Sequence, residues 1–125
     1  MATLIDTSSW IDALRHNGRP DVRARVQALL QNGEAAWCDI VRVELWHGLR
    51  GPAERKLMEQ LEADVQTLPM TDTAWAKARE LAQRSRAKGL TAPTADLVIA
   101  ACAWEHGVEI EHGDAHLTAL TALFA

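Results

Sequence analysis

The sequence contains no tyrosine and a single phenylalanine, so five tryptophans carry almost all of its aromatic surface. Trp10, Trp37, Trp46, Trp75 and Trp104 are therefore read first as the large aromatics of a core. Only two cysteines are present, Cys38 and Cys102, far apart in the chain. That excludes a disulfide framework and leaves two buried thiols as the expectation. No apolar run reaches the roughly 18 residues that a membrane-spanning helix needs. The opening Met1-Ala2-Thr3-Leu4-Ile5-Asp6 lacks the basic start and long apolar stretch of a signal peptide. A cytoplasmic protein without a membrane partner is expected. Linkers, repeats and low-complexity segments are missing, and so are the glycine fingerprints of P-loops and dinucleotide sites. One domain over residues 1–125 is expected.

Nor is there an excess of positive charge: 13 Lys and Arg stand against 17 Asp and Glu, a net charge of −4. Taken alone, that disfavours a nucleic-acid partner. If four carboxylates gather on a metal, the remainder is 13 against 13, and the ion cancels part of the site's charge. The balance then neither excludes nor supports a nuclease. What the chain does have is an ordinary core-forming composition, 48% hydrophobic and 24% charged.

The pattern along the chain alternates strands and helices. Short strands are expected over residues 2–5, 35–38, 65–68 and 108–111. A first helix carries Trp10, Ile11 and Leu14, with Thr7, Ser8 or Ser9 as its cap and Asn17-Gly18 as its stop. Helices follow over 21–31, 40–49 and 52–64, then from a Thr71 cap to about Lys88 and from Pro93-Thr94 to His106, with a short last helix after Gly113-Asp114. In the 52–64 helix, Leu57, Met58 and Leu61 are read as inward, and Glu54, Arg55, Glu59 and Glu62 as outward. Alternation of this kind implies parallel pairing through right-handed crossovers. The expected fold is a three-layer α/β/α sandwich with a small parallel sheet.

In open parallel sheets, ligands bind at the carboxyl ends of the strands. Asp6 falls where the first strand ends, and Asp114 falls just past the last one. Asp96 shares a helical face with Ile99, Ala100 and Ala103, and Glu44 shares one with Ile40, Val41 and Gly48. An unpaired buried carboxylate costs several kcal/mol, so each needs a proton, a hydrogen bond, a cation or a metal. Structural readings stand beside this one. Asp6 also suits a helix cap, Asp114 a turn, Asp96 the first turn of its helix, and Glu44 a pair with Arg42 or another arginine. The joint pattern is harder to explain structurally. Two acids at strand ends and two on apolar helix faces can converge on one edge, where hard oxygen ligands suit Mg²⁺ or Mn²⁺.

At these residues the sequence resembles a known family. Leu4-Ile5-Asp6-Thr7-Ser8-Ser9-Trp10-Ile11-Asp12 looks like the opening motif of PIN-domain proteins. Val43-Glu44-Leu45-Trp46-His47-Gly48-Leu49 resembles their second acidic segment. Ala95-Asp96-Leu97-Val98-Ile99-Ala100-Ala101-Cys102-Ala103, followed by His106-Gly107-Val108, resembles the third. The match follows the expected order over nearly the whole chain and is nearest to the VapC-like toxins of bacterial type II toxin–antitoxin systems. The resemblance implies a Mg²⁺-dependent endoribonuclease that hydrolyses RNA phosphodiesters with metal-activated water, is held inactive by a cognate antitoxin, and forms a homodimer. It implies Asp6 and Asp96 as the principal metal ligands, completed by Glu44 and Asp114, all four serving catalysis. No covalent nucleophile is needed at Thr7 or Ser8, and Ser8 or Ser9 suits orientation of a ligand or water. The family's last motif usually places Thr or Ser two residues before its acid, and often Asp two residues after it. Here those positions hold His112 and His116, which suit RNA contact or control of the site's pH response. Arg15, Arg19, Arg42 and Arg50 are candidate phosphate contacts, with a solvated surface as the other reading.

Three further readings compete. Cys102 with His106, and His112 with His116, imitate zinc-ligand spacing, although Cys102 reads as core and His106 as a helix end. A phosphotransferase of the haloacid dehalogenase type needs a second Asp where this chain has Ser8. A non-catalytic interaction module is the reading from another class. For it, Trp10 and Trp46 can line a groove for a partner's helix.

Overall fold

The computed structural model describes residues 1–124. Its order is β1 (Thr3–Ile5), α1 (Thr7–Leu14), α2 (Pro20–Gln31), β2 (Ala35–Trp37), α3 (Asp39–His47), α4 (Gly51–Asp64), β3 (Gln66–Thr67), α5 (Asp72–Ala87), α6 (Thr94–His106), β4 (Glu109–Glu111) and α7 (Ala115–Thr121). The expected elements are all present, with ends displaced by a residue or two where turns fray. No helix among the described residues is long and apolar enough to cross a membrane.

The four strands form one parallel sheet in the order β3-β2-β1-β4. Leu4 and Ile5 of β1 and Ala36 and Trp37 of β2 are fully buried. Adjacent residues point to opposite faces of a strand, so burial of both requires cover on both sides. Edge strands need less cover, and β3 and β4 accordingly carry exposed Gln66 and Glu109. The chain steps one way from β1 to β2 to β3, then crosses back past β1 to β4. Right-handed crossovers therefore place α1 to α4 on one face and α5 and α6 on the other, giving the expected three layers. The reversal of direction lies between β1 and β4.

Helix α6 is the central one. Residues 98–103 are all buried, so it is enclosed on every side rather than along the single apolar face expected. Its alanines allow close approach by α5, which offers the small stripe Ala74, Ala78 and Ser85. Gly107 ends α6 in the left-handed region, at φ 63°, where a side chain would be strained.

Three local expectations are corrected. The cap of α1 is Asp6, the second of the two readings, and not Thr7, Ser8 or Ser9: its side chain accepts from the Ser9 N–H. Leu57 is 42% exposed, because α4 is anchored chiefly through Met58. Glu54 and Glu62 are half-buried rather than outward, because each is drawn to an arginine, Arg15 and Arg42 respectively. The two cysteines are free and buried, as expected.

Candidate functional site

Parallel pairing of β1 with β4 sets Ile5 opposite Glu111. The next residues along the two chains, Asp6 and the turn at 112–114, therefore emerge side by side. This is the topological switch point of the sheet, where neighbouring connections diverge.

Asp6 is 4% exposed. Its backbone N–H donates to the Glu111 carbonyl at 3.1 Å, tying it to β4. Its Oδ1 accepts from the Ser9 N–H at 2.9 Å, and the Ser8 hydroxyl donates to Oδ2 at 3.1 Å. The Ser9 hydroxyl is itself buried without a partner. One residue on, Thr7 Oγ1 donates to Glu44 Oε1 at 2.6 Å. Glu44 is thus held by α1 from across the α1–α3 contact. It does not pair with Arg42, which binds Glu62 and Asp39 instead.

Asp96 sits at the start of α6, its N–H bonded to the Pro93 carbonyl. Its side chain is 14% exposed. Burial raises its pKa above the ordinary carboxylate value, and the negative charge of Asp114 raises it further. His116 opposes that rise, while Asp6 and Glu44 are near enough to add to it. Its Oδ2 is buried with no hydrogen-bond donor. Asp114 caps α7 by accepting from the His116 N–H at 2.7 Å. Its own N–H donates to His112 Nδ1 at 3.1 Å. One ligand atom each from Asp96, Asp114 and His116 lie within 4.8 Å of one another.

The donors fit a divalent cation. An orphaned carboxylate oxygen faces no protein donor, and the surrounding acids repel one another unless a positive charge joins them. Oxygen-rich sets of this kind take hard dications. Neither pair of zinc-like spacing comes together among the described residues, although His116 itself joins Asp96 and Asp114. Cys102 Sγ donates to the Leu68 carbonyl, His106 Nε2 contacts the Pro69 carbonyl, and His112 is occupied by Asp114.

With that geometry in place, the family described as PIN domain matches residues 3–122. The chain belongs to the PIN-domain family. Among relatives of this PIN domain, Ribonuclease VapC21 of Mycobacterium tuberculosis is 28% identical over 107 residues, covering 83% of this chain and 78% of that protein. Ribonuclease VapC18 of Mycobacterium tuberculosis is 28% identical over 127 residues, covering 98% and 90%. The fold also matches the crystal structure of VapBC2 from Rickettsia felis, bound to a DNA fragment from their promoter. That match has a TM-score of 0.77 at 18% identity and covers 91% of this chain and 88% of that one.

Of the four arginines read as phosphate contacts or solvated surface in this PIN domain, three are held by carboxylates. The guanidinium groups of Arg15, Arg19 and Arg42 are engaged with Glu54, Asp12 and Glu62. Arg50 has no carboxylate partner on its side chain among the described residues. Trp10 and Trp46 do not line one groove. Trp10 floors an apolar groove with Leu14, Leu30, Leu57 and Leu61, while Trp46 borders a separate hollow with Leu49, Pro52 and Arg55. Sequence reasoning missed Thr7 as the group that holds Glu44; it singled out His116 for RNA contact, pH response or zinc-like spacing, but not as a ligand atom beside Asp96 and Asp114. Thr7 had one available signal, a hydroxyl directly after a strand-end acid.

Proposed function

We propose that this PIN domain is a metal-dependent endoribonuclease, the toxin of a type II toxin–antitoxin pair, with Asp6, Glu44, Asp96 and Asp114 as its catalytic and metal-binding acids. One observation carries the reading. Ten acidic side chains are not exposed, and six of them (Asp12, Glu34, Glu54, Glu62, Glu105 and Glu111) have an arginine, lysine or N-terminal ammonium partner. Among the described residues the four without one are Asp6, Glu44, Asp96 and Asp114. Evolution of stability alone does not leave such a group together, because removing charge from water without a counterion is unfavourable. A shared cation resolves it.

The residues divide the work. Asp6, Glu44, Asp96 and Asp114 hold Mg²⁺, or Mn²⁺ in its place. An ion held there would supply Lewis acidity and a positive charge beside the phosphate. Ser8 and the Ser9 N–H fix the Asp6 carboxylate, and Thr7 fixes Glu44, so the ligands need little reorganisation on binding. RNA as substrate is supported by the ribonuclease names of the relatives. A cognate antitoxin is supported by the apolar groove at Trp10, Leu14, Leu30, Leu57 and Leu61, which suits the apolar side of a partner's helix. A single domain, a cytoplasmic location and a homodimer belong to the same reading.

The test is cleavage of RNA by purified protein with and without Mg²⁺. Cleavage should stop with chelator, return with Mg²⁺ and be lost in Asp6→Asn and Asp96→Asn. Variants that cut as well as the parent, in preparations free of contaminating nuclease, would sink the mechanism.

A further inference from the structure

The fourth acid of the site does not stand alone. His116 follows it on the first turn of α7, and its Nδ1 lies 3.2 Å from Asp114 Oδ1 and 3.8 Å from Asp96 Oδ2. The cap that Asp114 makes uses the His116 backbone N–H, so it explains the carboxylate and leaves the ring's position unexplained. A stabilising ion pair does not explain it either. The ring is 52% exposed and its partner 32%, and such pairs contribute little. The ring does bring a nitrogen to the buried Asp96 oxygen that has no donor.

The spacing suits shared ligation. In an octahedral ion with bonds of about 2.1 Å, adjacent ligand atoms are about 3.0 Å apart and opposite ones about 4.2 Å. The 3.2 Å separation from Asp114 is close to the adjacent spacing, and the 3.8 Å separation from Asp96 must shift as an ion draws the ligands in. His112 is no competitor at its Nδ1, which already accepts from the Asp114 N–H.

We propose that His116 is a ligand of the metal site, through Nδ1, and that this nitrogen makes the site prefer first-row transition dications to Mg²⁺. The inference rests on the metal-site reading above. Its chemistry is general: Mg²⁺ takes oxygen and binds nitrogen poorly, whereas imidazole strengthens binding from Mn²⁺ onward along the transition series. The proposal therefore concerns which ion occupies the acidic site, and the imidazole is what distinguishes the ions.

Mn²⁺ is the probe, because it is paramagnetic and close to Mg²⁺ in its demand for oxygen. Chelator-stripped full-length protein is titrated separately with Mn²⁺ and Mg²⁺ by calorimetry. Pulsed electron paramagnetic resonance of the Mn²⁺ form then reads ligand nitrogen directly. The parent should show ¹⁴N modulation of an imidazole ligand, and His116→Asp should lack it. His116→Asp replaces nitrogen by oxygen, so it should still bind Mg²⁺, with the Mn²⁺-over-Mg²⁺ preference reduced about tenfold. His116→Ala should lose the modulation as well, which guards against an effect of the new carboxylate. If parent-bound Mn²⁺ shows no nitrogen, or the preference survives in His116→Asp, the proposal is overturned while the acidic site stands. If the parent binds neither ion, or Asp96→Asn binds both as the parent does, the metal-site reading fails and the proposal fails with it.

Discussion

Two regions of this molecule handle half-buried carboxylates in opposite ways. On α4, the half-buried acids Glu54 and Glu62 each meet a guanidinium. Arg42 lies between Glu62 and Asp39 and over the ring of Trp37, the Trp46 indole N–H also donates to Glu62, and Arg15 holds Glu54. Where the ends of β1 and β4 meet α3 and α6, Asp6, Glu44, Asp96 and Asp114 receive hydroxyls, backbone N–H groups and one imidazole and, among the described residues, no Lys or Arg. The first arrangement is complete in itself. The second gathers negative charge and leaves one buried oxygen unmatched. The contrast separates acids that stabilise the fold from acids that the fold tolerates for another purpose.

The sharpest way to break this contrast is to neutralise one acid in each region. Asp96→Asn should reduce metal-dependent RNA cleavage by on the order of 10²–10³-fold. Glu62→Gln should leave cation affinity, measured by calorimetry, unchanged. It should instead destabilise the protein by about 2 kcal/mol in denaturant unfolding, since it leaves Arg42 poorly matched. Equal effects of the two changes on cation binding would erase the distinction.

Thr7→Val keeps the side chain's shape and removes only the hydroxyl that holds Glu44. It should weaken Mn²⁺ binding about tenfold with little change in fold, as loss of a group that orients a ligand does. Unaltered binding would mean that Glu44 needs no positioning.

The smallest effect is also the most diagnostic, because its sign reverses between the regions. Arg42 holds the Glu62 pKa below the usual carboxylate value of 4.5. Its stabilising contribution is therefore present above that value and fades as pH falls through the folded pKa. Burial raises Asp96 above its usual 3.8. Its contribution is present below 3.8 and is lost as pH rises through the folded pKa, so at neutral pH the metal-free carboxylate opposes folding. Asp96→Asn should accordingly stabilise chelator-treated protein at pH 7 by on the order of 1 kcal/mol, a few degrees in melting temperature. Divalent ion should reverse the ranking by stabilising only the parent. A destabilised Asp96→Asn protein without metal would show that the carboxylate is structural after all.

Much of this was legible along the chain. Alternating apolar strands and amphipathic helices required a parallel sheet. Residues such as Thr71, Gly89 and Gly107 mark helix ends through local hydrogen bonding and backbone freedom, and α6 runs over the expected residues. Asp6 and Asp114 stood out because they follow strands, and Asp96 because it interrupts an apolar segment. Less legible was which partner each long side chain would choose. Arg42 is two residues from Glu44 yet binds Glu62, twenty residues away, because α4 returns beside α3. Leu57 read as core and is exposed, since period alone does not say how much of a helix's face the neighbours cover.

The sequence by itself determined the order of elements, the parallel sheet and the acids at its strand ends. These follow from interactions within a few residues and from the need to bury apolar faces. Only the tertiary structure decided which acids remain without a cation, and that an imidazole stands beside Asp96 and Asp114. Ion pairing depends on distance in space, and that distance is set by how the sheet brings β1 and β4 together and where α3 and α6 pack against their ends.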